Sequence, residues 1–222
     1  MNAHHRHQSH RRQDRLLQAI DVTLAFLLLL VLSPLMILLA ASIAITGGGS
    51  PLFGHRRYGK DGRTFLCYKF KSMAADADAR LARLLASDPA ARAEWHRDHK
   101  LRRDPRVTPI GRFIRKTSLD ELPQLFNVLK GEMSIVGPRP HAVAHNEEYS
   151  KIIGQYYSRH RVKPGITGWA QVHGYRGETD TPEKMAKRVQ YDLYYIDNWS
   201  LLLDLRILVM TVFVGFVNRN AY

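Results

Sequence analysis

From Val22 to Ile45 the chain reads VTLAFLLLLVLSPLMILLAASIAI and carries no charge. At about 1.5 Å per residue, a helix of that length extends roughly 36 Å, enough for a bilayer core of about 30 Å. Both flanks are basic: Arg6, Arg11, Arg12 and Arg15 precede the run, and Arg56, Arg57, Lys60 and Arg63 follow it. Positive charge holds flanking segments on the cytoplasmic face, so both ends satisfy the rule only if the segment enters and returns. Ser33-Pro34 stands at its middle. Proline lacks an N–H and bends a helix, and a serine hydroxyl can cover a freed carbonyl where no water reaches. The pattern therefore predicts a re-entrant helix–break–helix over residues 16–46, against the plainer reading of one transmembrane helix that tolerates its proline. A cleaved signal peptide does not fit, because the apolar run is too long and no A-x-A-like site precedes the polar chain.

The remaining pattern is amphipathic. Residues 1–15 are basic and His-rich, and without spaced acidic or Cys partners they read as a flexible tail at lipid head groups rather than a metal site. GGGSP at Gly47–Pro51 reads as a linker, and Arg63–Lys71 as a strand. Helical spacing predicts helices over Ala74–Ser87, from Pro89 to about Lys100, over Ser118–Lys130 and over Ala142–Arg159, with a short strand at Glu132–Val136. Thr181-Pro182-Glu183 marks a helix start, Thr as cap and Pro at the first position, with the helix running to about Asp197. Leu201–Val217 is an apolar helix interrupted by Asp204 and Arg206, suited to a core or to the interfacial layer. The sum is an α/β domain over 47–222, mostly helical with short strands, on a monotopic membrane segment.

Composition narrows the function classes. With 45% hydrophobic and 24% charged residues among 222, wholesale disorder is excluded. Lys and Arg outnumber Asp and Glu by 33 to 20, and a net charge of +13 calls for an anionic partner. Nucleic acid is a poor candidate, because no helix-turn-helix, RNP-like aromatic pattern or zinc spacing is present. Acidic lipid and phosphorylated substrates remain, the former alone if the chain is a non-catalytic basic adaptor at a membrane surface. The single cysteine, Cys67, excludes a disulfide framework and suits a reducing compartment.

The densest segment is DPRVTPIGRFIRKTSLDELPQLFNVLKGEMSIVGPRP, Asp104–Pro140. Ser118-Leu119-Asp120-Glu121 has the Ser-x-x-Glu of a capping box, which gives Glu121 a purely structural role. Asp120 beside it makes a carboxylate pair in a first helical turn, where the dipole favours anions. Arg112, Arg115, Lys116 and Arg139 are near in sequence, and Arg139 is held between two prolines. Carboxylates, a hard cation and converging arginines are the parts used on phosphodiesters and pyrophosphates. A solvated basic face accounts for the arginines equally well.

Four segments in order, DPRVTPIGRFIRKTS, SLDELPQLFNVLKGEMSIVGPRP, VKPGITGWAQVHG and YDLYYIDNWSLLLDLRIL, after a Ser-Pro-broken apolar helix, closely resemble the bacterial monotopic phosphoglycosyl transferases. The resemblance covers about Arg15 to the C-terminus. It implies transfer of a sugar 1-phosphate from a UDP-sugar to undecaprenyl phosphate, with release of UMP, at the bacterial inner membrane and with the catalytic domain facing the cytoplasm. Asp120 matches the family's nucleophile, which forms a covalent phosphosugar intermediate. Glu121 matches the second acid of the dyad, associated with Mg2+ alongside Asp120, and Arg139 the phosphate-contacting Arg of Pro-Arg-Pro. Lys69 and Arg115 match further active-site positions. Asp192 matches less securely, since beside Met185, Val189 and Ile196 a buried ion pair serves as well. Arg161 and Lys163 lie in a Gly-rich loop that resembles the family's nucleotide-proximal loop, although an ordinary turn explains its glycines too. Arg176–Thr181 is similar to enzymes that begin colanic-acid and xanthan synthesis with glucose 1-phosphate. UDP-glucose is thus the expected donor, with UDP-galactose or a UDP-N-acetylhexosamine as alternatives. Those relatives carry a multi-helix N-terminal membrane region that this chain is expected to lack. Inner-membrane lipids are expected partners, and a homodimer is left open.

Overall fold

The computed structural model describes residues 2–47, 49–98, 101–177 and 181–217. It is mostly helical with short strands. The first helix, α1 (Asn2–Gly47), contains Pro34 and continues through Ser33-Pro34 rather than giving way to a turn. A proline removes one bond of the ladder and leaves the others in place. The helix also extends back to Asn2, so residues 2–15, expected as a flexible tail, are helical. Leu16–Gly47 is long and apolar enough to cross a membrane, and much of its side-chain surface is open, with Val31 74% and Ile45 84% exposed. Ala25, Met36, Leu39 and Ile43 are buried, and lipid is the solvent that suits the apolar remainder of its circumference. Its polar groups turn inward: the Ser42 and Thr46 hydroxyls donate to the carbonyls of Leu38 and Ser42 at 2.8 and 2.7 Å.

The chain forms two units, and it passes from one to the other at Leu32/Ser33. β1 (Leu52–Tyr58) and β2 (Thr64–Phe70) pair as a hairpin that runs through both. β1 follows the expected linker and was not legible as a strand, because its side chains are mostly exposed and show no apolar alternation. The hairpin turn places Asp61 and Gly62 at φ 57° and 72°, which suits the short acid and the glycine.

The first unit comprises Met1–Leu32, Gly54–Tyr68 and Pro123–Tyr222. After α2 (Ala77–Ser87), α3 (Pro89–Asp98) and α4 (Pro109–Thr117) of the other unit, it contains α5 (Gln124–Leu129), β3 (Ser134–Val136), α6 (Val143–Tyr149), β4 (Gly165–Thr167), α7 (Pro182–Asp197) and α8 (Leu201–Val217). Its core gathers Ala25 of α1, Phe65 and Cys67 of β2, Leu125 and Val128 of α5, Ile135 and Val136 of β3, Tyr195 of α7 and Ile207 of α8. β3 and β4 pair in parallel, Ser134 opposite Gly165 and Val136 opposite Thr167. A Cβ on Gly165 would stand 2.1 Å from the Gly137 nitrogen, and one on Gly168 2.2 Å from the Gly137 carbonyl oxygen. The glycines of this loop therefore serve backbone-on-backbone packing.

Thr181 caps α7 as expected, accepting from the Lys184 N–H at 3.3 Å with Pro182 at the first turn. The expected helix over Ala142–Arg159 shrinks to α6, followed by turns and a 3-10 segment, Tyr156–Arg161. Gln155 precedes that segment at φ 60°, a left-handed residue that an α-helix does not admit. The strand expected at Glu132–Val136 begins at Ser134.

The second unit comprises Ser33–Phe53 and Lys69–Leu122. Asp88 ends α2 and starts α3, its Oδ1 accepting from the N–H groups of Ala90 and Ala91 at 2.9 and 3.0 Å. α3 ends at Asp98, and the expected end near Lys100 lies outside the described residues.

Candidate active site

Within the second unit, the end of β2 and the helix α4 bring the carboxylate pair to a lysine. Past β2 the chain runs beside residues 106–108: Thr108 donates its N–H to the Ser72 carbonyl at 3.1 Å, Ala74 donates to the Arg106 carbonyl at 2.8 Å, and Met73 bridges Val107. Thr108 also caps α4, its Oγ1 accepting from the Gly111 N–H at 2.9 Å. A Cβ at Gly111 would stand 1.9 Å from the Ser72 carbonyl oxygen. Only glycine lets α4 approach this strand so closely. One turn later, Arg115 donates from Nε to the Ser72 hydroxyl at 2.8 Å.

Ser118 then ends α4 in the left-handed region at φ 61°, and a 3-10 turn over Leu119–Glu121 follows. The Glu121 carboxylate accepts from Lys69 Nζ at 2.7 Å, and Asp120 Oδ2 is 3.9 Å from the same ammonium. The side chains of Asp120 and Glu121 are 15% and 8% exposed. The capping box is not formed: Ser118 makes no side-chain cap, and Glu121 reaches Lys69 instead. The physical reason is the positive φ of Ser118, which makes it the end of one helix rather than the start of the next. The expected helix Ser118–Lys130 is accordingly split, with α5 beginning at Gln124 after Pro123. A three-residue 3-10 turn offers little dipole, so Lys69 takes the place of the helix end in offsetting the two anions. Among the described residues no group of three or more His, Cys, Asp or Glu is placed to hold a metal. The pair supplies two oxygen donors.

The other expected residues lie in the first unit. Asp192 is buried, 2% exposed, on the buried guanidinium of Arg159, whose Nη2 is 2.6 Å from Oδ2. Arg159 also donates from Nη1 to His141 Nδ1 at 2.6 Å, and Arg188 Nη1 lies 3.1 Å from Nε2 on the other side of the ring. Arg139 is half-buried beside this cluster and lines a cleft of about 10 Å³ with Tyr58, Arg159 and His160. Arg161 pairs with Asp197 at 2.7 Å on the surface. Lys163 lines a cavity of about 470 Å³ with the hairpin turn and Glu132.

A model of the bacterial sugar transferase family matches residues 12–218. The chain belongs to the bacterial sugar transferase family. It is 50% identical over 210 residues to a UDP-glucose:undecaprenyl-phosphate glucose-1-phosphate transferase of Escherichia coli (strain K12), covering 94% of this chain and 42% of the relative. It is 46% identical over 213 residues to an undecaprenyl-phosphate galactose phosphotransferase of Salmonella typhimurium, covering 96% of this chain and 43% of the relative. Against the exopolysaccharide production protein ExoY of Sinorhizobium fredii it is 44% identical over 205 residues, covering 92% of this chain and 87% of the relative. The chain thus spans about two-fifths of the length of the first two relatives.

In this bacterial sugar transferase the sequence pattern passes over His141, Arg159 and Arg188, and takes Arg57 only as a basic flank of α1. An Arg-His-Arg run reads as a basic surface, and nothing in local spacing shows that Arg159 is only 2% exposed. The cluster has a measurable consequence. Burial, then the charge of Arg159, pushes His160 down to about 4. Burial, then Arg159, Arg188, Arg139 and Arg57, holds His141 well below its ordinary value. Both imidazoles stay neutral in the fold, whereas the unfolded chain takes up protons near pH 6.5. Their contribution is whole above pH 6.5 and is lost as pH falls toward 4. The thermal unfolding midpoint is expected to drop between pH 7 and 5; a midpoint that holds steady over that range would count against the neutral cluster.

Proposed function

We propose that the chain transfers a sugar 1-phosphate from a UDP-sugar to undecaprenyl phosphate, releasing UMP, with Asp120 as the nucleophile. The carboxylate pair beside Lys69, in a chain of this family, carries the reading. An Asp120 carboxylate oxygen attacks the sugar-bearing phosphorus. The bond from that phosphorus to the bridging oxygen breaks, and UMP leaves with the electron pair. An oxygen of undecaprenyl phosphate then attacks the same phosphorus, the bond to Asp120 breaks, and the carboxylate is restored. A carboxylate is anionic at neutral pH and needs no base to become a nucleophile. The acyl phosphate is reactive enough for a weakly nucleophilic lipid phosphate to open it.

Asp120 and Glu121 are two hard oxygen donors side by side, the kind of set that Mg2+ completes with substrate phosphates. Bound there, Mg2+ would neutralise phosphate charge. Lys69 supplies fixed positive charge at the same carboxylates, and Arg115 is held on the Ser72 hydroxyl. Glucose 1-phosphate is the proposed cargo, after the relative at 50% identity; galactose 1-phosphate is the second reading, after the one at 46%. The likeness to ExoY supports a place at the first membrane step of exopolysaccharide synthesis.

The deciding experiment measures UMP release from a panel of UDP-sugars with undecaprenyl phosphate and Mg2+. It is joined to mass spectrometry of enzyme trapped without acceptor. A hexose-phosphate adduct on the Asp120 peptide is expected; its absence from an active, trapped enzyme rejects the covalent route. A basic membrane adaptor releases no UMP from any donor.

The basic flanks of α1 support re-entry from the cytoplasmic face of the inner membrane. Cysteines placed just before Val22 and just after Ile45 are both expected to resist a periplasmic thiol reagent. Labelling of one end alone restores the spanning helix.

A further inference from the structure

The loop that carries Arg139 is held by two guanidinium groups from elsewhere in the first unit. Arg159 donates from Nη2 to the Arg139 carbonyl at 2.8 Å, and Arg57 donates from Nη1 to the Pro140 carbonyl at 2.9 Å. Pro138 and Pro140 have no N–H to donate; the Pro138 carbonyl accepts from the Gly165 N–H at 2.9 Å, and the guanidinium groups hold the two carbonyls that follow. Arg159 is itself fixed. Its Nε and Nη2 both donate to Asp192 Oδ2, at 3.1 and 2.6 Å, and its Nη1 donates to His141 Nδ1 at 2.6 Å.

The pair is costly for a fold to keep. Arg159 and Asp192 are each 2% exposed, and a buried ion pair of this kind is commonly no more stabilising than well-packed apolar residues of the same volume. What it gives that apolar residues cannot is a donor at a fixed point, aimed at the Arg139 carbonyl. The two prolines stiffen the turn, the Gly165 N–H holds its first carbonyl, and the two guanidinium groups set where the rest of it sits.

We propose that Arg159, braced by Asp192, and Arg57 are positioning residues that fix the Pro138–Pro140 backbone and so the direction in which the Arg139 guanidinium is offered to a substrate phosphate. The inference rests on the functional reading above and deepens it. Misplacement of a charge-stabilising group by an ångström or so is enough to cost about 100-fold in rate.

The test is a double-mutant cycle in the full-length chain, read as UMP release with the UDP-sugar that gives the fastest wild-type turnover. Arg57→Ala and Asp192→Asn are each made alone and in an Arg139→Ala background. Each alone is expected to lower kcat by about 10- to 100-fold with KM within about threefold of wild type, because the lost interaction belongs to the transition state. With Arg139 already truncated, the same changes are expected to cost less than about threefold. Equal losses in the two backgrounds overturn the inference, as does a raised KM with kcat unchanged. Arg57 is only half-buried, so if Asp192→Asn loses its cooperative unfolding transition, the Arg57 cycle decides alone. A wild type that releases no UMP overturns the functional reading and this inference with it. An active wild type with additive losses overturns the inference alone.

Discussion

Asp120→Asn is expected to lower UMP release by about a thousandfold or more, the scale of removing a covalent nucleophile. The amide nearly matches the carboxylate in shape but has no anionic oxygen to offer phosphorus. The short contact of Lys69 is to Glu121 at 2.7 Å, and Asp120 stands at 3.9 Å, so the ammonium keeps its close partner. The unfolding midpoint is expected to stay within about 3 °C of wild type, the shift that about 1 kcal/mol gives in a chain of this size. Separating activity from stability in this way is what distinguishes a nucleophile from a structural acid. Turnover like wild type in a folded Asp120→Asn protein removes the covalent scheme. Loss of folding together with activity assigns the residue to structure instead.

What the sequence reveals of this molecule is local. Thr181-Pro182 starts α7 because a cap and a pre-set φ act within one turn. The apolar run of α1 is visible because its length and lack of charge need no partner to be recognised. The Ser-x-x-Glu signal at Ser118 misleads for an equally local reason: its spacing says nothing about φ, and Ser118 sits at 61°. Contacts between distant parts of the chain leave no such trace. Lys69 meets Glu121 across 52 positions, Arg159 meets Asp192 across 33, and Arg57 meets Pro140 across 83. The burial of Asp192 could be expected from the apolar side of α7, and with it the need for a partner. Which arginine answers that need is decided by the 3-10 segment at Tyr156–Arg161, which replaces the end of an expected helix. Family resemblance pointed to Lys69; spacing could not have done so.

Gly111→Ala is expected to be the most damaging of the conservative substitutions near the site, although helix propensity favours alanine by about 1 kcal/mol. The added methyl would lie 1.9 Å from the Ser72 carbonyl oxygen, 2.8 Å from its carbon and 3.0 Å from its Cα. All three are backbone atoms, so no rotamer change relieves the overlap, and α4 must retreat. Retreat pulls on the Thr108 N–H to Ser72 carbonyl bond at 3.1 Å and on the Arg115 contact with the Ser72 hydroxyl at 2.8 Å. It also displaces Ser118 and the turn that aims Asp120 and Glu121 at Lys69. The net cost is expected to be about 2–4 kcal/mol of stability, as for overpacking against a rigid neighbour. Turnover in the surviving folded fraction is expected to fall by about 100-fold. Gly154→Ala is the control: a Cβ there meets nothing within 4 Å, and its effect is expected to stay within about 0.5 kcal/mol. Thermal unfolding and single-turnover UMP release on the two variants separate the cases. If Gly111→Ala folds and turns over like wild type, the close approach of α4 to Ser72 does not set the site. The placement of the two carboxylates would then have to come from the turn at Ser118–Glu121 alone.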